Sequence, residues 1–217
     1  MREEIIQAIQ TNKIIAIVRG AQEQQALAAA KALHRGGIHL VEVTFNQAQP
    51  EALDNTLNAI RAIREQLDGQ VLVGAGTVLC AQQVELAAQA GASYIISPDT
   101  DADVIRRTRR LGLVSIPGAY TATEAKTAHN AGADFVKIFP CVSDAPAYLK
   151  ALCAPLNHIR FLAVGGVNAD NCASFLHAGA AGVGVGGCLV NKAWMENGEY
   201  DRITDEARRF VKNIREY

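Results

Sequence analysis

Short apolar runs alternate along the chain with longer segments in which apolar residues recur at helical spacing. A short run rich in Val and Ile, bounded by Gly, Pro or polar residues, is typical of a buried strand. Runs of this kind predict eight strands: Ile14–Val18, Leu40–Thr44, Val71–Ala75, Tyr94–Ser97, Val114–Ile116, Phe135–Phe139, Arg160–Val164 and Val183–Gly186.

The segments between these runs predict helices. In the first of them Ala26, Leu27, Ala30 and Leu33 share one helix face. Glycine follows several of the segments and indicates a helix end, because it adopts the left-handed conformation at low cost. The glycines in question include Gly37, Gly91, Gly112, Gly132 and Gly179.

Strand and helix alternate eight times after an additional helix at the N-terminus. This order calls for a parallel sheet, and eight such strands close into a barrel. We therefore expect an α/β protein with one domain over residues 1–217, a (β/α)8 TIM barrel with an extra N-terminal helix. An open doubly wound sheet is the alternative, but no GxGxxG motif follows the first strand.

Composition excludes several classes of partner. Lys and Arg (21) nearly balance Asp and Glu (22), so there is no basic excess for nucleic acid. No segment approaches the ~20 apolar residues of a membrane span, and the first ten residues lack the apolar run of a signal peptide. Five cysteines without a CxxC pair predict free thiols and a cytoplasmic protein, and the five histidines suggest no metal site.

Two charged residues interrupt apolar strands. Alternation along the second predicted strand places Glu42 inside the barrel, and along the sixth it places Lys137 inside. Burial raises the pKa of a carboxyl and lowers that of an amine, which suits an acid–base and a Schiff-base nucleophile. The structural alternative is a buried ion pair, either Glu42 with Lys137 or Glu42 with Arg19 at the end of the first strand.

Glycine clusters form a second signal, at Gly74-Ala75-Gly76, Gly165-Gly166 and Gly184-Val185-Gly186-Gly187. At strand ends, glycines let backbone N–H groups approach an anion, and barrels often bind phosphate after their last two strands. Thr77 follows the first cluster. Its hydroxyl can bind substrate or cap the next helix.

The segments containing these residues resemble the bacterial 2-keto-3-deoxy-6-phosphogluconate (KDPG) aldolase / 4-hydroxy-2-oxoglutarate aldolase family over nearly the whole chain. The most specific pieces are EVTF with Glu42, GAGTV, and VKIFP with Lys137. The resemblance implies a class I aldolase, a homotrimer without metal or cofactor, whose partner is a small keto sugar acid. It would cleave KDPG to pyruvate and glyceraldehyde 3-phosphate, and 4-hydroxy-2-oxoglutarate to pyruvate and glyoxylate.

The resemblance also implies residue roles. Lys137 would form the Schiff base, and Glu42 would act as general acid–base through a water. Other matching positions would bind substrate: Thr77, Gly165 and Gly166 at the pyruvyl carboxylate, Pro98 and Phe139 around the pocket, and Gly186, Gly187 and Cys188 at the phosphate. Arg19, also expected to bind substrate, matches an arginine that ends the first strand in part of the family.

Three positions depart from the family pattern. Phe45-Asn46-Gln47 stands where many members carry Arg, Val164 replaces a threonine, and Cys188 replaces a serine. Val164 and FNQAQP are similar to the phosphogalactonate branch. A 2-keto-3-deoxy-6-phosphogalactonate or a short unphosphorylated acid is therefore an alternative substrate. From the residues alone, a phosphate-binding barrel of epimerase or decarboxylase type and a non-catalytic sugar-acid binder also stay open.

Overall fold

The strands form one parallel sheet that curves into a barrel. A computed structural model describes residues 2–49, 52–142 and 145–216. Over these residues the sheet has nine strands in the order β5-β4-β3-β2-β1-β9-β8-β7-β6. Their bounds are β1 Ile14–Val18, β2 Leu40–Thr44, β3 Leu72–Gly76, β4 Tyr94–Ile96, β5 Val114–Ile116, β6 Gly118–Ala119, β7 Val136–Ile138, β8 Phe161–Val164 and β9 Gly182–Val185.

Helices surround the sheet, with one helix before the first strand. Their bounds are α1 Arg2–Asn12, α2 Glu23–Arg35, α3 Leu53–Gln66, α4 Ala81–Gln89, α5 Ala102–Arg110, α6 Ala122–Asn130, α7 Ala145–Cys153, α8 Cys172–His177, α9 Lys192–Glu196 and α10 Tyr200–Arg215. The helix ends predicted from glycines are confirmed, since each of these glycines has a left-handed φ: +95° at Gly91, +74° at Gly112, +108° at Gly132 and +106° at Gly179. In the described part of the chain, no helix has the length and apolar character needed to cross a bilayer.

The predicted (β/α)8 barrel with an extra N-terminal helix is confirmed, with one correction to the strand count. β5 and β6 are two halves of the fifth barrel position, separated by Pro117, which has no N–H to donate to a ladder. β5 pairs with β4 and β6 pairs with β7, so the barrel closes through this split strand. The sequence prediction missed β6 because a two-residue strand after a proline has no apolar run. Five other strands differ from their predicted bounds by one or two residues.

Two apolar layers account for the stability of the barrel. Alternate strand residues such as Val41 and Val43 face the helices, and their neighbours face inward. The inner layer contains Leu40, Tyr94 and Phe135, and it is continuous with apolar residues of α1. Helix α1 therefore closes the end of the barrel at which the strands begin.

Small inward residues make room for large neighbours. A β-carbon at Gly74 would collide with the ring of Tyr94, and one at Gly184 would lie 2.8 Å from a methyl group of Val164. The Tyr94 hydroxyl donates to Val41 O at 2.7 Å and so joins β4 to β2. Gly74 and Gly184 belong to the glycine clusters of the sequence, and here their lack of a side chain makes room for Tyr94 and Val164.

Candidate active site

Glu42 and Lys137 face each other across the barrel. Glu42 lies in β2 and Lys137 in β7, four strands away around the sheet, and their exposed fractions are only 2% and 6%. Their strand neighbours Val41, Val43 and Val136 pack on the helices, so both charged side chains point inward as predicted. The alternation therefore brings the predicted acid–base and the predicted nucleophile together at one site.

Neither side chain is neutralised by direct contact. Among the described residues, no ion pair within 4.0 Å joins Glu42 to Lys137 or to Arg19. Instead, Lys137 Nζ lies 4.7 Å from the centre of the Phe139 ring. The two structural ion pairs considered as alternatives are therefore absent, and the charges act on each other across a gap.

The burial perturbs both protonation equilibria. Burial raises the pKa of the Glu42 carboxyl, and the positive charges of Lys137 and Arg19 partly offset this rise. Burial lowers the pKa of the Lys137 ammonium. The charge of Glu42 opposes that lowering, Arg19 adds to it, and Asp99 opposes it more weakly. Lys137 therefore presents more free amine at neutral pH than an exposed lysine does.

The absence of a side chain at Gly76 leaves room for the Glu42 carboxylate. A β-carbon at position 76 would collide with Glu42 Oε1 and with the rest of its side-chain end. Gly76 is the last residue of β3, which pairs with β2 through Thr44. The glycine cluster thus serves the candidate acid–base itself, a role that the sequence reasoning did not assign.

Thr77 follows Gly76 in a strained conformation. Its φ of +56° is in the left-handed region, which β-branched residues rarely adopt. The next helix, α4, begins at Ala81 with Cys80 as its N-cap, so Thr77 is not the cap that the sequence left possible. Backbone strain of this kind is concentrated at functional sites.

The segment after β7 packs against the glycines after β8. Gly165 and Gly166 have φ of +89° and +69°, and a β-carbon at Gly166 would collide with the carbonyl of Cys141. A β-carbon at Gly165 would lie 3.5 Å from the Phe139 ring. Because that ring also contacts Lys137, the Gly165-Gly166 turn lies beside the candidate nucleophile.

The remaining predicted residues lie at the ends of other strands. Arg19 follows β1 and is exposed, and Pro98 follows β4 with its carbonyl packed against Gly118. Gly186, Gly187 and Cys188 follow β9; among the described residues, and apart from its two neighbours in the chain, no atom lies within 4 Å of a β-carbon built on Gly187. The Cys188 thiol donates to Val167 O at 3.2 Å.

Asp99 is a charged residue at this end of the barrel that the sequence reasoning missed. Burial raises the pKa of its carboxyl, and the charge of Lys137 opposes the rise. Its position directly after Pro98, at the end of a predicted strand, was the signal that could have identified it. Within the described ranges, no group of three or more His, Cys, Asp or Glu residues is arranged to hold a metal ion.

The fold and the site define a barrel enzyme whose candidate chemical groups are an amine and a carboxyl held out of water. The chain belongs to the KDPG and KHG aldolase family, whose sequence profile matches residues 5–206. It is therefore an aldolase, a carbon–carbon lyase.

Three known proteins illustrate the relationship. The 2-dehydro-3-deoxy-6-phosphogalactonate aldolase of Escherichia coli K12 is 40% identical over 204 residues, which cover 94% of this chain and 95% of that protein. A solved structure described as native KDPGal aligns with a TM-score of 0.83 and 40% identity, covering 94% of both chains. KDPG aldolase from Legionella pneumophila, with pyruvate captured as a covalent carbinolamine, aligns with a TM-score of 0.82 and 25% identity, covering 94% and 96%.

Proposed function

We propose that Lys137 is the Schiff-base nucleophile and Glu42 the general acid–base of an aldolase acting on a 2-keto-3-deoxy-6-phospho sugar acid. The observation that carries the proposal is the burial of both groups on opposite walls of one barrel, without an ion pair between them. A pair kept only for structure would be in contact, because an uncompensated buried charge is costly.

The chemistry follows from the two protonation states. The free amine of Lys137 attacks the C2 ketone to form a carbinolamine, which takes up one proton from solvent and loses water to leave an iminium cation. Glu42 takes the proton of the C4 hydroxyl through a water. The C3–C4 bond then breaks, its electron pair forms an enamine, and the aldehyde leaves. Glu42 returns the proton to C3, and hydrolysis of the iminium releases pyruvate and one proton to solvent and restores the free amine.

The strand-end groups would bind the two ends of the substrate. In this proposal the pyruvyl carboxylate is held by Thr77 and the N–H groups of Gly165 and Gly166, which lie beside the Lys137–Phe139 contact. The remaining assignments place Pro98 and Phe139 around the pocket, and Gly186, Gly187 and Cys188 toward the phosphate. Arg19, whose charge acts on both Glu42 and Lys137, is suited to bind a substrate carboxylate, since a guanidinium binds carboxylate oxygens in a bidentate manner.

Two epimeric sugar acids are the candidate substrates. KDPG and 2-keto-3-deoxy-6-phosphogalactonate differ in configuration at C4, and both would give pyruvate and glyceraldehyde 3-phosphate. The 40% identity to a phosphogalactonate aldolase and the valine at position 164 favour the galactonate epimer. A cleavage panel with both epimers and 4-hydroxy-2-oxoglutarate tests this order: a higher kcat/KM for the gluconate epimer reverses it.

Reductive trapping tests the nucleophile. Borohydride in the presence of pyruvate should add one pyruvyl mass to the peptide that contains Lys137. Lys137→Met should abolish the label, whereas Lys126→Met, which changes an exposed lysine of α6, should leave it. A wild-type protein that stays unlabelled rejects the proposed nucleophile. Such a result favours the binder or the epimerase-type barrel instead.

Assembly and location complete the proposal. We propose a homotrimer in the cytoplasm, since the resemblance implies trimers and all five cysteines are free thiols, as expected in a reducing compartment. Light scattering at working concentration should give three times the 23.2 kDa of one chain. A mass of one chain would overturn the trimer without affecting the chemistry.

A further inference from the structure

The backbone at Thr77 is held by side chains from two other elements. Gln47, in the loop after β2, donates from Nε2 to Thr77 O at 2.6 Å. Gln83, in the first turn of α4, donates from Nε2 to Gln47 Oε1 at 3.1 Å, and Gln47 Nε2 lies 3.3 Å from Gln83 Oε1. The two amides therefore pair with each other, and one of them also binds the strained residue.

The residues after Thr77 are fixed as well. The N–H of Leu79 donates to Gln83 Oε1 at 2.8 Å. Val78 donates to Ile96 O at 3.2 Å, and its own carbonyl accepts from Ser97 Oγ at 2.8 Å. Residues 77 to 79 are thus bound to β4, to α4 and, through Gln47, to the loop after β2. A left-handed threonine persists only where its surroundings determine it in this way.

Gln47 lies in the segment that departs from the family pattern. Many members carry an arginine soon after the EVT motif, whereas this chain has Phe45-Asn46-Gln47. The Gln47 amide makes its hydrogen bonds with the protein, to Thr77 and to Gln83. Its contribution to binding would therefore pass through the conformation of Thr77.

We propose that Gln47 and Gln83 are positioning residues, whose paired amides hold Thr77 in its left-handed conformation for binding of the substrate's pyruvyl carboxylate. The inference rests on the proposed carboxylate role of Thr77. Loss of either amide would let the Thr77 backbone relax toward the commoner right-handed or extended regions. Pyruvate would then bind more weakly, while the chemistry at Lys137 and Glu42 would be unchanged.

Trapping with borohydride at increasing pyruvate concentration measures pyruvate binding without requiring turnover. We expect Gln47→Ala and Gln83→Ala each to raise the half-saturating pyruvate concentration about three- to tenfold, the effect of losing one hydrogen bond. The kcat for cleavage should change less than twofold, since the loss is one of ground-state binding. The matched control is Gln82→Ala, an exposed glutamine beside Gln83, which should behave as wild type. The double variant should be no worse than the weaker-binding single variant, because both amides act through one residue.

A Thr77→Gly background shows whether Gln47 affects pyruvate binding through the conformation of Thr77. Glycine adopts the left-handed conformation without help, so Gln47→Ala should change half-saturation less than twofold in that background. A full three- to tenfold effect there would mean that Gln47 contacts the ligand itself, and it would overturn the proposal. Unchanged half-saturation in Gln47→Ala alone would overturn it too. A wild-type protein that is not labelled at all would reject the Schiff-base assignment, and the positioning role with it.

Discussion

The carboxylate of Glu42 occupies the space that a side chain at position 76 would need. A β-carbon built on Gly76 collides with Glu42 Oε1, while the backbone of Gly76 has no left-handed φ that would demand glycine. The glycine is therefore required by its neighbour, and the position of the candidate acid–base depends on an absent methyl group. This relationship connects a sequence motif, GAGTV, to the chemistry of a different strand.

Replacing that glycine should damage catalysis more than binding. We expect Gly76→Ala to displace the Glu42 carboxylate and to lower kcat roughly 10²–10⁴-fold, as the loss of a general acid–base does. Pyruvate trapping should persist, because Lys137 lies on the opposite wall. In a Glu42→Ala background the space is vacant, so Gly76→Ala should cost little more. Additive losses of kcat in the double variant would contradict this account.

The pKa of Lys137 should move in opposite directions when its two charged neighbours are neutralised. The negative charge of Glu42 raises the pKa of Lys137, so Glu42→Gln should lower it; the positive charge of Arg19 lowers that pKa, so Arg19→Gln should raise it. The pH dependence of pyruvate trapping reports this pKa, because only the free amine reacts. Arg61→Gln, on the exposed face of α3, should not shift it. Shifts of the same sign in the first two variants would rule out the electrostatic explanation.

Asp134 should make a large contribution to stability. Its carboxylate accepts from Arg2 Nη2 at 2.6 Å and Arg109 Nη1 at 2.7 Å, and from the N–H of Ser115 at 3.0 Å. Asp134→Ala leaves these donors unpaired, and we expect it to reduce the free energy of unfolding by about 2–4 kcal/mol. Asp134→Asn retains one acceptor and should lose less. Urea unfolding of the two variants checks the order, and equal losses would argue against the network.

We expect helix α1 to stabilise the fold by closing one end of the barrel. Ile9 is 1% exposed and packs in the inner layer with Ile15 and Tyr94. Ile9→Ala should lower the free energy of unfolding by about 2–5 kcal/mol, as cavities in cores do. Gln7→Ala on the exposed side of α1 should cost less than about 0.5 kcal/mol. A small effect at Ile9 would show that α1 is peripheral to the fold.

Several features could be predicted from sequence because they depend on local periodicity. Alternation along a short strand fixes which residues share a face, so the pattern of apolar positions was enough to place Glu42 and Lys137 inside the barrel. Helix ends were predicted from glycines such as Gly91 and Gly132, and both have a positive φ in the structure. The split of the fifth barrel strand at Pro117 could not be predicted in this way, since β6 pairs through backbone atoms and carries only Gly118 and Ala119.

What the sequence by itself determined is the barrel, the inward pair of charges and the family. The tertiary structure alone decided how these charges meet: on opposite walls, out of contact, with burial shifting both pKa values. It also decided that Gly76 makes room for Glu42 and that Gln47 reaches Thr77 from another loop. The physical reason is how far apart in the sequence the interacting residues lie. Patterning reflects neighbours along one element, whereas collisions, desolvation and hydrogen bonds between loops depend on which distant segments the closed sheet brings together.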